Sequence, residues 1–234
     1  METTISNSTG FSERVSLKQI LLICGILSSL LYAAMMITIQ YEGYSLTSQV
    51  PSELSAIGAP TRSLWIPLGF VYTVLMIAFG LGVWVSDGSN RALRVVGGLL
   101  LFTYGVLAFV WPFAPMHQRE VLAAGGGTFA DTLHVILGML TVLSNLLIIG
   151  FGAAAFGKRF RFYSIVTIII LLVFGTLTGL GSPRIQANLP TPWVGVWERI
   201  TILAFLLWLV VLAIILLKSL KVQDSINATI PDQR

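Results

Sequence analysis

Charge is scarce in this chain. Only 10% of its 234 residues are Asp, Glu, Lys or Arg, against roughly 25% in a soluble domain, and that scarcity excludes an ordinary water-soluble fold. Cysteine is rarer still. Cys24 stands alone in an apolar stretch, which excludes a disulfide framework and a cysteine-based metal cluster. The two histidines, His117 and His134, show neither HExxH nor His-x-x-x-His spacing, so neither a metal nor a cofactor is expected. No Gly-x-Ser-x-Gly elbow is present. The glycine groups Gly97-Gly98 and Gly125-Gly126-Gly127 lack a following Lys-Ser/Thr, which excludes a phosphate-binding loop.

What the chain has in place of charge is apolar length. Hydrophobic residues make up 56% of it, gathered into runs near 19–39, 64–85, 95–113, 133–156, 162–180 and 200–217. Each run matches the roughly 20 residues that an α-helix needs to cross the hydrocarbon of a bilayer. Backbone polar groups there must be satisfied inside the segment, so each run is predicted to be helical. The fold class is therefore an all-α, six-helix transmembrane bundle formed by a single domain over 1–234. The first run outlasts the apolar stretch of a typical signal peptide and is predicted to be an uncleaved helix.

The basic residues give an orientation. With the N-terminus inside, ten of the fourteen Lys and Arg fall on inner segments. Only Arg62, Arg119, Arg184 and Arg199 fall on outer ones. That bias predicts both termini in the cytoplasm. The formal charge of +4 then reports topology, not nucleic-acid binding. Eight of the nine prolines, all but Pro231, fall in or beside the outer connections, which predicts a rigid outer cap of loops. Ser52 is expected to cap a short helix there, with Glu53 in its first turn. Glycines 179 and 181 with Pro183 are expected to end the fifth helix, and Thr191-Pro192 to start the sixth. Trp65, Trp111, Trp193 and Trp197 are expected to form an interfacial belt at the outer helix ends.

Function is expected at the outer face. In the fourth run Asp131, His134, Gly138, Thr141 and Asn145 recur at helical spacing and share one stripe. Lipid offers polar groups no partners, so the stripe is expected to face the bundle interior. Asp131 and His134, one turn apart, are expected to lie side by side, with His134 buried and hydrogen-bonded. Candidate ligand-binding residues are Glu53, Arg62, His117, Arg119, Glu120, Asp131, His134, Glu198 and Arg199. Unpaired charge beside hydrocarbon is costly, so Glu53 or Glu198 is expected to pair with Arg62 or Arg199.

Several segments together resemble a known family. They are Glu53-Leu54-Ser55-Ala56-x-Gly58-Ala59-Pro60 after the first helix, a proline-bearing end to the third, His134 in the fourth, and Gly195-x-x-Glu198-Arg199 before a last helix with Trp208. This set is similar to the bacterial and archaeal multipass membrane family called domain of unknown function 998, over about residues 17–218. The resemblance implies the same six-helix architecture and an outer site, and it implies no activity. The resulting expectation is a multipass protein of a cell membrane, the bacterial cytoplasmic membrane. Its outer polar cluster would bind a lipid or small polar ligand, or support a membrane-protein partner or a second copy of the chain. A membrane-embedded, metal-dependent lipid hydrolase is the alternative, and a small-solute transporter is a second.

Overall fold

The computed structural model describes residues 16–86 and 90–229. The long helices are α1 (Leu17–Thr38), α2 (Arg62–Ser86), α3 (Arg91–Leu101), α5 (Phe129–Ala155), α6 (Lys158–Gln186) and α7 (Val194–Thr229), with a short α4 (Arg119–Ala123) before α5. A π-helical turn, Phe102–Val106, and two short 3-10 turns carry α3 on to Phe113. With that extension, six helices are long and apolar enough to cross a membrane. No strand occurs among the described residues, and the only extended pairing is one bridge between Ile57 and His117.

Polar side chains set several helix starts. Ser16 and Gln19 cap α1 reciprocally, which satisfies donors that a helix N-terminus leaves open. Asn90 accepts from the backbone of Ala92 and Leu93 at the start of α3, and its amide donates to Ala155 O at the far end of α5. Thr128 and Asp131 form a capping box on α5.

Two expected boundaries are wrong. Helix α6 does not stop near Gly179; it runs through Pro183 to Gln186 and ends where Asn188 adopts φ 48°. A glycine only weakens a helix, whereas an unsatisfied peptide group in an apolar setting costs several kcal/mol, so the ladder continues until it reaches the polar surroundings. Helix α7 begins at Val194, two residues beyond Pro192. Thr191 is committed elsewhere, as described below.

The six long helices form a closed ring in chain order. Helix α1 packs on α2, α2 on α3, α3 on α5, α5 on α6, α6 on α7, and α7 returns to α1, with a thin α2–α7 contact across the middle. Met36, Phe79, Trp208 and Leu209 are fully buried inside, while Phe70, Phe162, Ile169 and Leu180 stand on the outside. Large apolar side chains pointing outward suit hydrocarbon as the surrounding solvent.

Trp208 fills the ring near its middle. Its indole N–H donates to Ser164 Oγ on α6 at 2.9 Å, and a Cβ placed on Gly152 of α5 would lie 2.5 Å from its ring. Only glycine leaves room for it. At 100° per residue, His134, Thr141 and Asn145 point within about 20° of the direction of Gly152. The polar stripe of α5 therefore faces Trp208 and the inside of the ring.

The connections at the two ends differ as expected in length. The labelling test of orientation must use exposed positions, and Glu53 and Arg119 are buried. In a Cys24→Ala background, cysteines at the exposed positions Glu42 and Glu120 should react with an impermeant thiol reagent on intact cells. Cysteines at exposed Arg91 and Arg159 should react only after permeabilisation. The reverse pattern would invert the orientation. Arg14 and Arg234, two of the inner charges, lie outside the described residues.

Candidate functional site

The long first loop folds down onto the ring because its polar groups find partners there. Pro51–Ser55 forms a 3-10 turn capped by Glu53 and not by Ser52: Glu53 Oε1 accepts from Val50 N at 2.9 Å. The same carboxylate meets Arg119 at the start of α4 in a two-pronged pair. Nη2 donates to Oε1 at 2.6 Å and Nε to Oε2 at 2.7 Å. Gln49 Nε2 supplies a further donor to Oε2 at 2.9 Å. Arg119 then reaches Thr191 Oγ1 at 2.7 Å and Ser48 O at 2.8 Å, and Thr191 itself donates to Ser48 O. Glu53 is 2% exposed and Arg119 7%. Three connections are thus tied at one buried, charge-balanced point.

Arg199 makes a second tie. Its Nη1 donates to the carbonyls of Leu46, Gln49 and Gly195 at 2.8–3.0 Å, and its Nη2 to Tyr44 Oη at 2.6 Å. Tyr44 passes the connection on by donating to Gln49 O and Val50 O. Burial pushes its phenol up to about 12, although the neighbouring Arg199 pulls the other way. Gly195 is required for the contact, because a Cβ there would run into the carbonyls of Leu46 and Gln49. These two ties replace the expected pairing: Glu53 pairs with Arg119, and neither Arg62 nor Arg199 contacts a carboxylate among the described residues. Arg62 donates instead to Ser55 O.

Asp131 turns toward His117, not His134. It accepts from His117 N at 2.7 Å and His117 Nδ1 at 2.9 Å while capping its own helix through Thr128. His134 is half-buried. Its Nδ1 donates to Ala114 O at 2.8 Å, and its ring sits edge-on to Trp111, 4.9 Å between centroids. The polar partner is present, but it is a backbone carbonyl in place of the expected acid. Glu120 is exposed. No three His, Cys, Asp or Glu side chains gather closely enough to share a metal ion among the described residues.

One candidate is left over. Glu198, the fifth residue of α7, is half-buried and makes no hydrogen bond or ion pair with any described residue. It lies within electrostatic reach of Glu53, Arg199, Tyr44 and Tyr32. Arg199 Nε beside it is buried without a partner, as are Thr141 Oγ1 and Asn145 Oδ1 on the inward stripe of α5. An aromatic group that includes Tyr32 joins α1, α2 and the π-helical turn. Tyr32 on α1 packs 4.6 Å from Tyr72 and 6.1 Å from Trp65, both on α2, and Tyr72 donates to Tyr104 Oη in the π-helical turn at 3.3 Å. Trp65 is buried here, not interfacial as expected.

The sequence profile described as protein of unknown function (DUF998) matches residues 23–215 of the chain. The chain belongs to that family. No curated protein and no solved structure matches it. Membership in DUF998 agrees with a multipass helical membrane protein and names no reaction. Reading the sequence missed Tyr32, Tyr72 and Tyr104, because a tyrosine inside an apolar run leaves the helical period unchanged. It also missed Tyr44, Ser48 and Thr191, whose roles exist only once distant loops meet. Asn145 was visible as a polar break in an aliphatic helix.

Proposed function

We propose that this DUF998 protein binds a lipid headgroup or small polar ligand inside the helix ring, beneath the loop cap on the outer side of a bacterial cytoplasmic membrane. The observation that carries the reading is Glu198, a half-buried carboxylate within an apolar helix that has no hydrogen-bond or ion-pair partner among the described residues. Charged groups within membrane segments are expensive and default to function. The two ties above it, by contrast, use their arginines on loop carbonyls and on Glu53, which is how charges serve structure. Thr141 Oγ1 and Asn145 Oδ1 extend the same logic along α5. Buried oxygens without partners are uncommon, and here two share one inward stripe. The π-helical turn at Phe102–Val106 adds support, since such turns recur at functional sites.

Asn145→Leu tests this without breaking a known contact. Removing a buried, unpartnered amide should leave thermal stability unchanged or slightly raised. At the same time it should lower the amount of lipid or small molecule that stays with the purified protein, counted by native mass spectrometry. Lower stability with unchanged ligand content would make Asn145 a packing residue and end this reading.

A further inference from the structure

The end of the ring opposite the loop cap carries positive charge that the ties described above do not use. Arg91 and Arg94 stand in the first turn of α3, and Lys158, Arg159 and Arg161 in the first turn of α6. All five are exposed, and none has an ion-pair partner among the described residues. Neither helix has an acidic residue in its first turn. Cations there oppose the positive end of the helix dipole, so these residues do not stabilise their own helices. A bound anion would offset both the clustered charge and the dipole.

Two hydrogen bonds bring the two groups to one place. Asn90, which caps α3 and precedes Arg91, donates through its amide to Ala155 O at 3.1 Å. Arg161 Nε donates to Ala153 O at 3.4 Å. Both acceptors belong to the last turn of α5, so the starts of α3 and α6 meet around that turn. Apolar surface continues from the charge. Arg91, Val95 and Phe102 recur at helical spacing on α3, and all are exposed. Lys158, Phe162, Ile165 and Ile169 do the same on α6. Between them, Leu143, Leu147 and Ala154 are exposed on the face of α5 opposite Gly152, outside the ring.

The stripes of α3 and α6 therefore begin with a cation at the membrane edge and run on as side chains suited to hydrocarbon. An anionic phospholipid has the same order of parts. Its phosphodiester would meet the cations, which include two arginines whose planar donor forks match phosphate oxygens, and its acyl chains would lie along the stripes. A soluble anion would use the cations alone.

We propose that Arg91, Lys158 and Arg161, gathered around the last turn of α5, form a docking site for the headgroup of an anionic phospholipid on the outside of the ring. The site is separate from the one beneath the cap and does not rest on it. Lys218 and Lys221 supply an internal comparison. They are exposed as well, but they stand on α7, whose neighbours in the ring are α6 and α1. Basic charge that serves only to orient the chain predicts no difference between the two sets, whereas a docking site does.

The test uses the full chain in vesicles of equal parts phosphatidylethanolamine and phosphatidylglycerol, with the lipids that stay on the extracted protein counted by native mass spectrometry. Phosphatidylglycerol is expected to be retained at least fivefold over phosphatidylethanolamine. Arg91→Gln with Arg161→Gln should abolish that preference, while Lys218→Gln with Lys221→Gln should leave it intact. Arg91→Lys with Arg161→Lys keeps the charge and should keep most of the preference. Lys158→Gln alters an exposed side chain without a hydrogen bond, and should lower the preference severalfold, since each basic residue near an anionic headgroup contributes a factor of that order. That variant keeps the test decisive if the paired glutamine variant folds poorly. Equal retention of the two lipids by the parent protein would overturn the proposal. So would an equal loss in the Lys218→Gln, Lys221→Gln variant, which would mean that charge is spread over this end without a site. Displacement of the retained lipid by soluble glycerol phosphate at the same concentration would show that the acyl stripes contribute nothing, and would overturn the lipid as occupant.

Discussion

Arg119→Ala should cost about 3–5 kcal/mol of stability, the usual penalty for leaving one member of a buried ion pair without the other. Glu53 accepts two of its four hydrogen bonds from Arg119. The alanine variant leaves a carboxylate that is 2% exposed with only two neutral donors. It also frees Thr191 and Ser48 O from the guanidinium, so the connection carrying α4 comes loose from the first loop and from the connection before α7, which Thr191 still joins to each other through Ser48 O. A melting curve in detergent should move to lower temperature, and the first loop should become open to proteolysis before the helices unfold. Paired replacement, Glu53→Leu with Arg119→Met, removes both charges and should recover most of the loss, because a buried pair is often no more stable than an apolar isostere. If the double variant is as damaged as Arg119→Ala, the tie depends on hydrogen-bond geometry and not on charge balance. If Arg119→Ala melts with the parent, the cap is not held at this point.

The ease with which different parts of this molecule could be read follows from the range over which each is determined. The six spans are local facts: an apolar run of sufficient length must be helical in a membrane wherever it lies. Their ends were less legible. The helices extend beyond the apolar runs, as α6 does from Lys158 to Gln186, because polar residues such as Arg161 and Ser182 can continue a ladder after the hydrophobic signal has faded. The α5 stripe was legible because its period is helical, and Gly152 against Trp208 now gives that stripe its inward direction. Pairing was not legible. Glu53 and Arg119 are both charged residues in loops, 66 positions apart, and composition offers no reason to prefer Arg119 over Arg62 or Arg199. The preference comes from ring closure, which brings the first loop over α4 and the start of α7. The same closure uses up eight of the nine candidate side chains or leaves them at the surface, and isolates Glu198. A residue marked out by having no partner can be found only after the others have found theirs.

Trp208→Ala should be the most damaging change in the apolar interior, at about 3–5 kcal/mol, the range for emptying a large buried aromatic side chain. Hydrophobic transfer contributes little between helices in lipid, so the loss comes from packing contacts and the cavity left behind. Trp208 is 0% exposed and joins three helices: it belongs to α7, donates to Ser164 on α6 and rests on Gly152 of α5. Two milder changes separate these roles. Ser164→Ala leaves the indole N–H buried without its acceptor, at about 1–3 kcal/mol. Gly152→Ala places a methyl 2.5 Å from the ring and forces the indole aside, at about 1–3 kcal/mol for overpacking. Their combination with Trp208→Ala decides the geometry. In the alanine background the Gly152→Ala methyl meets no ring and fills part of the cavity, so it should change from destabilising to neutral or stabilising. Thermal unfolding of the four proteins of that cycle gives the interaction directly. Additive losses from Gly152→Ala and Trp208→Ala would mean that the two residues do not touch. The inward direction of the α5 stripe, which rests on that contact, would then be lost with it.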